Sequence, residues 1–484
     1  MPPLRLFLAL VVLQIPWLTR PVNYDETNFL TLARGAAADP WRPHAVLINW
    51  QGTTERAFDV LSNPPGIAWW LAPVVSLPVS AQRMWMLPWL GVALLGALRL
   101  GRRFVGDGEA AALVLLTAPI VLLSTTALLP DAPLYACTLL GVGGFVDATE
   151  RAERTWPWAL LAGGAALFRY SGVALAPLLA LYAIRRGSSP WSALMALAPF
   201  LLLGGHDLLA YGEWHFLAMT AFQAVAGTPT DYAHKLAAAL AMLGGAAALP
   251  VFRWSRGVWI GAAFGALAGA PYGIVGALFA GAGGASLAAV ALRRAAGPFL
   301  STWVGGGLVF LLTLRFVATR YWLPFLPGVL LAFPLGGSVR RVVLVHTCLG
   351  MLLLADDQLT AQGVARLADQ VAELGGGRFT GHWGWQHALE AHGWTALDAG
   401  QRARPGERVA MPRQAWPQAA DVPCSQVVWE GVARPPFPWL PRGYSERGRA
   451  NLHADWIAGP PPERTILPWT FANDPYERVR VCQD

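Results

Sequence analysis

Charged residues are scarce in this chain, and lysine is almost absent. Only 13% of the 484 residues are charged, where about 25% is usual in a soluble domain. Lys235 is the single lysine. The mean hydropathy is +0.42. A chain of this length and hydropathy has more apolar surface than one core could bury, so lipid must solvate much of that surface. The composition therefore excludes an ordinary soluble enzyme and indicates a membrane protein.

Cysteine motifs and nucleotide-binding loops are also missing. The chain has four cysteines, and none stands in a spacing typical of zinc sites, which argues against a structural metal. No glycine-rich phosphate loop occurs, so a soluble nucleotide is not an expected substrate. Cys424 and Cys482 lie in the polar C-terminal region. They would pair if that region faces an oxidising compartment and would otherwise stay free thiols.

The charges that are present divide the chain into two parts. Residues 356–484 hold 28 charged side chains in 129 positions, whereas residues 1–355 hold only 37 in 355. We therefore expect a transmembrane module over 1–355 and a soluble domain over 356–484. The net charge of +7 is scattered between apolar runs rather than clustered, so nucleic acid is not an expected partner.

The apolar runs predict thirteen membrane spans. Residues 64–79 could add another, but Pro73 and Pro78 favour a helix lying along the interface. Residues 157–184 are read as two short helices, with one long tilted helix as the alternative. The thirteen runs cover residues 4–18, 84–100, 109–129, 132–147, 157–169, 171–184, 190–210, 236–251, 257–270, 271–291, 298–314, 322–335 and 342–355.

An odd number of spans places the two ends of the chain on opposite sides of the membrane. We expect a cytoplasmic N-terminus, an extracytoplasmic (periplasmic) C-terminal domain, and long outer loops over 19–83 and 211–235. The positive-inside rule agrees, because five arginine pairs fall on the cytoplasmic side: Arg102/Arg103, Arg185/Arg186, Arg253/Arg256, Arg293/Arg294 and Arg340/Arg341.

The pattern of the C-terminal region predicts a small α+β domain. A helical run over 358–374 ends at three glycines, and the histidine-rich stretch 382–387 is favoured as a packed aromatic turn over a catalytic site. Strands are expected around 378–383, 407–411, 426–432 and 478–482.

Candidate carboxylates stand at the outer ends of the predicted spans. Asp25 and Glu26 are adjacent after the first span, and such a pair beside an apolar surface can keep one member as a general base. A solvated turn is the alternative. Asp131 follows a proline where a span re-enters the membrane, and a helix N-cap is its alternative. Asn63 precedes two prolines that could simply form a rigid turn.

Arginine and tyrosine side chains lie at the same outer level. Arg169 and Tyr170 follow one predicted span, and Arg315, Arg320 and Tyr321 lie between two others. Guanidinium groups bind phosphate through two parallel hydrogen bonds and stay charged, so an anion site is one interpretation. Membrane anchors of the snorkelling and aromatic-belt type are the other.

Five short elements in this order resemble the membrane-embedded glycosyltransferases of the GT-C fold. The similar group is glycosyltransferase family 39, with the protein O-mannosyltransferases, the lipid A aminoarabinose transferases and their Rgt-like bacterial relatives. The matching elements are Tyr24–Glu26, Asn63–Pro65, Leu129–Leu134, Phe168–Tyr170 and Arg320–Pro327. Asn63 replaces a frequent histidine of the family, and Arg169 replaces a lysine.

This resemblance implies a transferase that uses a polyprenyl-phosphate sugar as donor. The acceptor would be a glycolipid, a polysaccharide or a protein at the outer face of the inner membrane. Asp25 would take the proton from the acceptor hydroxyl with inversion at the anomeric carbon, and Glu26 would orient or tune it. Arg169 and Arg320, with Arg315, would bind the leaving phosphate.

The resemblance also implies a substrate pocket built from five further side chains. Residues 211–235 would close over the substrate there. No cofactor is required, and dependence on a divalent metal stays open. A transporter or flippase of a lipid-linked or amphiphilic substrate is the alternative function, although no inverted repeat is visible; a scaffold is a third. The pocket residues are Tyr24, Asn63, Asp131, Tyr170 and Tyr321.

Overall fold

The structure is a computed structural model that describes most of the chain. Up to residue 332 the chain is mainly helical, and from residue 378 onward it is rich in strands. Arg253 and Arg294 of the predicted cytoplasmic pairs, and residues 226–230 of the predicted closing loop, lie outside the described residues. The described residues are 3–50, 52–225, 231–247, 255–293, 297–332, 339–415, 418, 422, 424–457 and 463–483.

The helices vary widely in length. They are α1 (Pro3–Val12), α2 (Glu26–Ala38), α3 (Ala57–Val60), α4 (Gly66–Leu71), α5 (Val79–Phe104), α6 (Gly108–Leu116), α7 (Pro119–Thr125), α8 (Asp131–Glu150), α9 (Trp156–Gly163), α10 (Leu175–Arg185), α11 (Ala198–Tyr211), α12 (His215–Val225), α13 (Tyr232–Met242), α14 (Arg256–Gly269), α15 (Gly273–Leu292), α16 (Gly297–Thr313), α17 (Leu326–Leu330), α18 (Val339–Ala372) and α19 (Trp383–Ala391).

The strands are short and lie mostly in the C-terminal region. They are β1 (Leu47–Asn49), β2 (Thr54–Arg56), β3 (Arg378–Phe379), β4 (Thr395–Ala396), β5 (Arg408–Pro412), β6 (Gln426–Ala433), β7 (Pro441–Arg442), β8 (Tyr444–Ser445), β9 (Ala450–Asn451), β10 (Trp456–Ile457), β11 (Glu463–Arg464), β12 (Thr470–Phe471) and β13 (Glu477–Gln483).

The expected count of thirteen spans is not confirmed. In the described part of the chain, four helical segments are long and apolar enough to cross a membrane. The predicted span 109–129 is a pair, α6 and α7, bent by 72° at Pro119, which cannot continue the hydrogen bonds of the preceding helix. The four segments are Val79–Phe104, Trp191–Tyr211, Arg256–Leu292 and Val339–Ala372.

Two further expectations concern the predicted helices over 157–184 and 322–335. The interpretation of residues 157–184 as two short helices is confirmed, because α9 ends before Arg169 and α10 begins after it. The predicted span 322–335 contains only the five-residue α17, and its last residues, 333–335, lie outside the described residues. Pro324 stands before α17 and Pro327 in its first turn, and neither proline could lie in the interior of one long helix without breaking its hydrogen bonds.

Helices α14 and α15 form a hairpin that turns at Gly273, whose φ is +82°. Small residues let the two backbones approach closely. A Cβ atom added to Gly265 would lie 2.1 Å from the carbonyl oxygen of Ala280. Close helix contact through small residues is the packing expected between apolar helices in lipid.

Helix α18 joins the two parts of the molecule. It runs without a break for 34 residues, so the boundary predicted at 355/356 falls inside a helix. Asp356 and Asp357 therefore lie on a rigid element that continues from the apolar region into the strand-rich one.

The C-terminal domain contains a five-stranded mixed sheet in the order β4-β3-β5-β13-β6. Strand β13 pairs antiparallel with β5 and β6, and β3 pairs parallel with β4 and β5. The core beside it contains Phe379, Trp385 and Val481, so the stretch 382–387 is packed as expected. It is not a turn, because residues 383–387 form the start of helix α19. Cys424 and Cys482, whose pairing the sequence leaves open, form a disulfide.

Candidate functional site

Asp25 and Arg320 meet in an ion pair although 294 residues separate them in sequence. Asp25 is the residue before α2, and Arg320 lies in a 3-10 helix over Thr319–Trp322. An Nη2 of Arg320 is 2.5 Å from Oδ2 of Asp25. Burial opposes ionisation, but the charge and hydrogen bond of Arg320 hold the pKa of Asp25 below its ordinary value. Asp25 is therefore an ionised carboxylate at neutral pH.

Most of the hydrogen-bonding capacity of Arg320 is unused. The residue is only 8% exposed, and its Nε and Nη1 atoms are buried with no hydrogen-bond partner in the described part of the chain. A buried guanidinium normally has all its donors paired, because each unpaired donor costs the lost hydration. The free donors indicate that Arg320 can bind a further acceptor.

Tyr321 connects Arg320 to a second arginine. The guanidinium carbons of Arg320 and Arg169 lie 5.9 and 5.5 Å from the centroid of the Tyr321 ring, within the range of cation–π attraction. Two guanidinium groups are thus held on one aromatic ring, which is a cationic arrangement suited to an anion with several oxygens.

Arg169 is fixed in turn by Asp131. Its Nε and Nη2 atoms donate to the two carboxylate oxygens of Asp131 at 3.0 and 3.1 Å, and Asp131 is fully buried. Its Nη1 donates to Oδ1 of Asn63 at 3.5 Å. The N-cap position of α8 is occupied by Pro130, without a side-chain capping bond, so Asp131 orients an arginine instead of capping the helix.

Glu26 has a different environment from its neighbour Asp25. It accepts hydrogen bonds from Arg20 at 2.9 Å and from Arg83 at 2.7 and 2.8 Å, and from the backbone amides of Asn23 and Leu128. Burial would raise its pKa, but these guanidinium groups lower the pKa of Glu26 to about 2. Its oxygens are fully engaged, so the carboxylate holds the segment before α2 in place.

Tyr24 lies between the Asp25–Arg320 pair and the C-terminal domain. Its φ of +43° is uncommon for a residue with a side chain, and strain of this kind is found at functional sites. Its ring centroid lies 5.2 Å from that of Trp383 and 4.4 Å from that of His453. The C-terminal domain thus forms one wall of the site.

His453 was not anticipated from the sequence. It stands in a polar stretch with no motif around it. Its position is set by the preceding residue, Leu452, whose carbonyl oxygen accepts a hydrogen bond from the amide of Thr319 at 3.2 Å. Burial, and then the charge of Arg320, lower the pKa of His453 to about 4. The imidazole beside the Asp25–Arg320 pair is therefore neutral at physiological pH.

Two predicted site residues lie apart from this cluster. Arg315 is exposed, and no ion pair or hydrogen bond joins it to the cluster among the described residues. Tyr170 points to another group, where its hydroxyl is 2.6 Å from Nδ1 of His215. The ring of His44 is tilted against that of His215, with the centroids 4.7 Å apart. The Nε2 of His44 is 3.0 Å from the carbonyl oxygen of Asn63. Tyr170 therefore supports the site from behind Asn63.

Histidine and acidic side chains do not gather into a metal site where the chain is described. No group of three or more His, Cys, Asp or Glu residues stands close enough there to hold a metal ion. The cluster instead combines the carboxylates of Asp25 and Asp131, the guanidinium groups of Arg169 and Arg320 and the imidazole of His453.

Comparison with known proteins finds similarity in solved structures. No protein-family model and no curated protein matches the chain. The chain is similar to apo ArnT from Cupriavidus metallidurans, with a TM-score of 0.46, 17% identity, and coverage of 82% of this chain and 86% of that chain.

Two further structures complete the comparison. For the same ArnT bound to undecaprenyl phosphate, the TM-score is 0.41 at 19% identity, covering 77% of this chain and 72% of that one. For the Archaeoglobus fulgidus oligosaccharyltransferase in complex with Zn and sulfate, it is 0.41 at 12% identity, covering 81% and 62%. Identity to this chain is 12–19% in the three structures.

Proposed function

We propose that the chain is a membrane glycosyltransferase that moves a sugar from a polyprenyl-phosphate donor to a hydroxyl acceptor. The acceptor would be a glycolipid, a polysaccharide or a protein at the outer face of the cell membrane. Four apolar helical segments of spanning length support a membrane location. The disulfide Cys424–Cys482 supports an oxidising compartment for the C-terminal domain.

The observation that carries the proposal is the buried cation with unused donors. Arg320 keeps two buried nitrogen atoms unpartnered, and Arg169 is oriented beside it by Asp131. A phosphate would offer these donors the acceptor oxygens that they lack, in the geometry guanidinium groups prefer. We assign both arginines to binding the donor phosphate, and Tyr321 to holding them at a common distance.

The proposed reaction needs one base and no general acid. The carboxylate of Asp25 takes the proton from the acceptor hydroxyl, and the acceptor oxygen forms a bond to the anomeric carbon. The bond from that carbon to the phosphate oxygen breaks, with inversion, and its electron pair stays on the phosphate. Arg320 and Arg169 stabilise the negative charge that grows there in the transition state.

The ion pair between Asp25 and Arg320 suggests how the base is activated. While the pair is intact, Arg320 lowers the pKa of Asp25 and so weakens it as a base. A donor phosphate that draws the guanidinium charge away raises the pKa of the carboxylate. Asp25 would therefore become a stronger base only when the donor is in place.

The test is transfer of label from a polyprenyl-phosphate sugar in membranes of cells that lack the native copy. Asp25→Asn keeps the shape of the side chain but removes the base, so we expect transfer to fall at least a hundredfold. Arg320→Gln should weaken binding of a polyprenyl phosphate as well as transfer. Asp59→Asn, which changes an exposed carboxylate paired with Arg56, is the matched control and should transfer normally.

Two results would contradict the proposal in different ways. Normal transfer by Asp25→Asn would remove Asp25 from the role of base but leave the transferase class intact. If the wild-type chain moved labelled lipid across the membrane without transferring sugar from any such donor, the chain would be a transporter.

A further inference from the structure

Part of the C-terminal domain packs among the apolar helices instead of lying outside them. The indole Nε1 of Trp469 donates to the carbonyl of Gly245 at 2.7 Å, beyond the end of α13. The ring of Trp469 also lies 4.9 Å from that of Phe279 on α15. Phe279 is six residues below the hairpin turn at Gly273, which is about 9 Å along the helix axis. The side chain of Trp469 therefore contacts these helices inside the hairpin and not at the turn that joins them.

Next to Trp469 the domain exposes large aromatic side chains. Phe471 is 62% exposed and its ring lies 5.5 Å from Trp469. Strand β12 pairs with β7, so that Phe471 stands opposite Pro441. Just before Pro441, Phe437 and Trp439 are 46% and 61% exposed, and their rings are 5.4 Å apart. Phe437, Trp439 and Phe471 thus form one exposed aromatic patch.

The segment that carries Phe437 and Trp439 is suited to an apolar environment. Four of the eight residues in 434–441 are prolines, which have no N–H group to leave unpaired. The amide of Leu440 already donates to the carbonyl of Phe437. The segment can therefore enter lipid headgroups with few unsatisfied donors, whereas backbone polar groups normally prevent loops from doing so.

The surroundings of the aromatic patch identify its partner. On α15, Ile274 and Leu278 are 78% and 65% exposed, as lipid-facing residues of a spanning helix are. Trp469 and Phe279 connect the patch to this helix, so the apolar surface is continuous. Arg434 is exposed at the start of the proline-rich segment, where lipid phosphates would attract it.

We propose that the aromatic patch lies in the lipid interface of the leaflet on the side of the C-terminal domain. Trp439, Phe437 and Phe471 anchor the domain to the membrane in addition to its covalent connection through α18. Exposed tryptophan and phenylalanine are stable at this depth because their rings leave water, and the indole N–H of tryptophan also reaches the headgroups. This inference is independent of the reaction proposed above.

The test places a nitroxide spin label on the full chain in lipid nanodiscs. Trp439→Cys and, separately, Phe471→Cys are labelled in a Cys348→Ser background, which removes the exposed free thiol and keeps the disulfide. The control is Arg402→Cys, at an exposed position of the same domain. Relaxation by oxygen, which partitions into lipid, is compared with relaxation by a water-soluble nickel chelate.

At positions 439 and 471 we expect the oxygen effect to exceed the nickel effect severalfold, and at 402 the reverse. Stronger relaxation by nickel at both patch positions would overturn the proposal, because the patch would then face water. Dipolar broadening between labels at 439 would overturn it too, since a second copy of the chain would then be the partner. Phe471 is exposed, so its substitution is a check that does not depend on the fold tolerating the loss of Trp439.

Discussion

At the scale of single residues, Glu26 makes the clearest contribution to stability. Its folded pKa is about 2, below the value of about 4.5 that the unfolded chain has. Its ionised form therefore stabilises the fold fully above pH 4.5, and this stabilisation is lost as pH falls from 4.5 towards 2. The difference corresponds to about 3 kcal/mol.

We predict that Glu26→Gln lowers the free energy of unfolding at neutral pH by about 3 kcal/mol, because Arg83 then lacks a charged partner in a buried place. The loss should shrink as pH falls below 4.5, because the unfolded wild-type chain then binds a proton at this carboxyl and the folded one does not. Thermal unfolding between pH 3 and 7 measures it, with Glu153→Gln at an exposed position as the control. If Glu26→Gln and Glu153→Gln lowered the free energy of unfolding equally at neutral pH, Glu26 would not have this stabilising role.

The contacts of single residues also distinguish Asp25 from Glu26, two adjacent carboxylates that the sequence could only treat as a pair. Asp25 has one cationic partner and faces an arginine with free donors, whereas Glu26 has two cations and two backbone donors. Sequence spacing predicted that both carboxylates stand together. Their different partners come from the segment before α2, from α5, from the segment between α7 and α8, and from the 3-10 helix before α17. Only the fold brings these parts of the chain together.

At the scale of elements, glycine decides how closely helices approach. Gly265 on α14 faces the backbone of α15 so tightly that a methyl group would lie 2.1 Å from a carbonyl oxygen. The carbonyl cannot move without bending its helix. The hairpin therefore depends on the absence of a side chain at this position.

We predict that Gly265→Ala destabilises the chain by about 1–3 kcal/mol through overpacking. Gly305 on α16 has no atom within 4 Å of its added Cβ, so Gly305→Ala should leave stability unchanged or slightly higher. Thermal unfolding in detergent compares the two variants. A tolerant Gly265→Ala would show that the hairpin separates at little cost.

The apolar runs predicted where helices occur better than they predicted how long those helices are. The hairpin α14–α15 and the break near Arg169 were predictable because glycines and polar residues interrupt the runs there. The bend between α6 and α7 and the shortness of α17 depend on prolines inside apolar sequence. Hydropathy does not register these prolines as breaks, so it overestimates the number of continuous spans.

At the scale of the whole molecule, the disulfide between Cys424 and Cys482 closes a loop of 58 residues. Cys482 lies in β13, next to the middle of the sheet. A loop of this length is worth about 4 kcal/mol in the chain-entropy account. The stabilisation that the disulfide provides therefore acts on the C-terminal domain.

We predict that reduction lowers the unfolding temperature of the C-terminal domain. The double variant Cys424→Ser/Cys482→Ser should show the lower value from the start and should not respond to reductant. Scanning fluorimetry with and without dithiothreitol makes the comparison. A wild-type chain indifferent to reductant would mean that the sheet is stable without its disulfide.

Four of the residues that the motifs predict lie close together in the fold, but the motifs do not predict the contacts between them. The motifs pointed to Asp25, Asp131, Arg169 and Arg320, which the fold joins through Tyr321. They also pointed to Arg315, which is exposed. No motif marks His453, because its position depends on a domain whose sequence pattern carries no family signature.

The contact between Leu452 and Thr319 has a consequence for how the protein matures in the cell. The wall formed by Tyr24 and His453 joins residues that are far apart in the sequence and are therefore synthesised at different times. A nascent chain therefore carries Asp25, Arg169 and Arg320 before His453 has been added to enclose them. Contacts of such long sequence separation form slowly, so the cluster would become enclosed only after the C-terminal domain has folded against the helices.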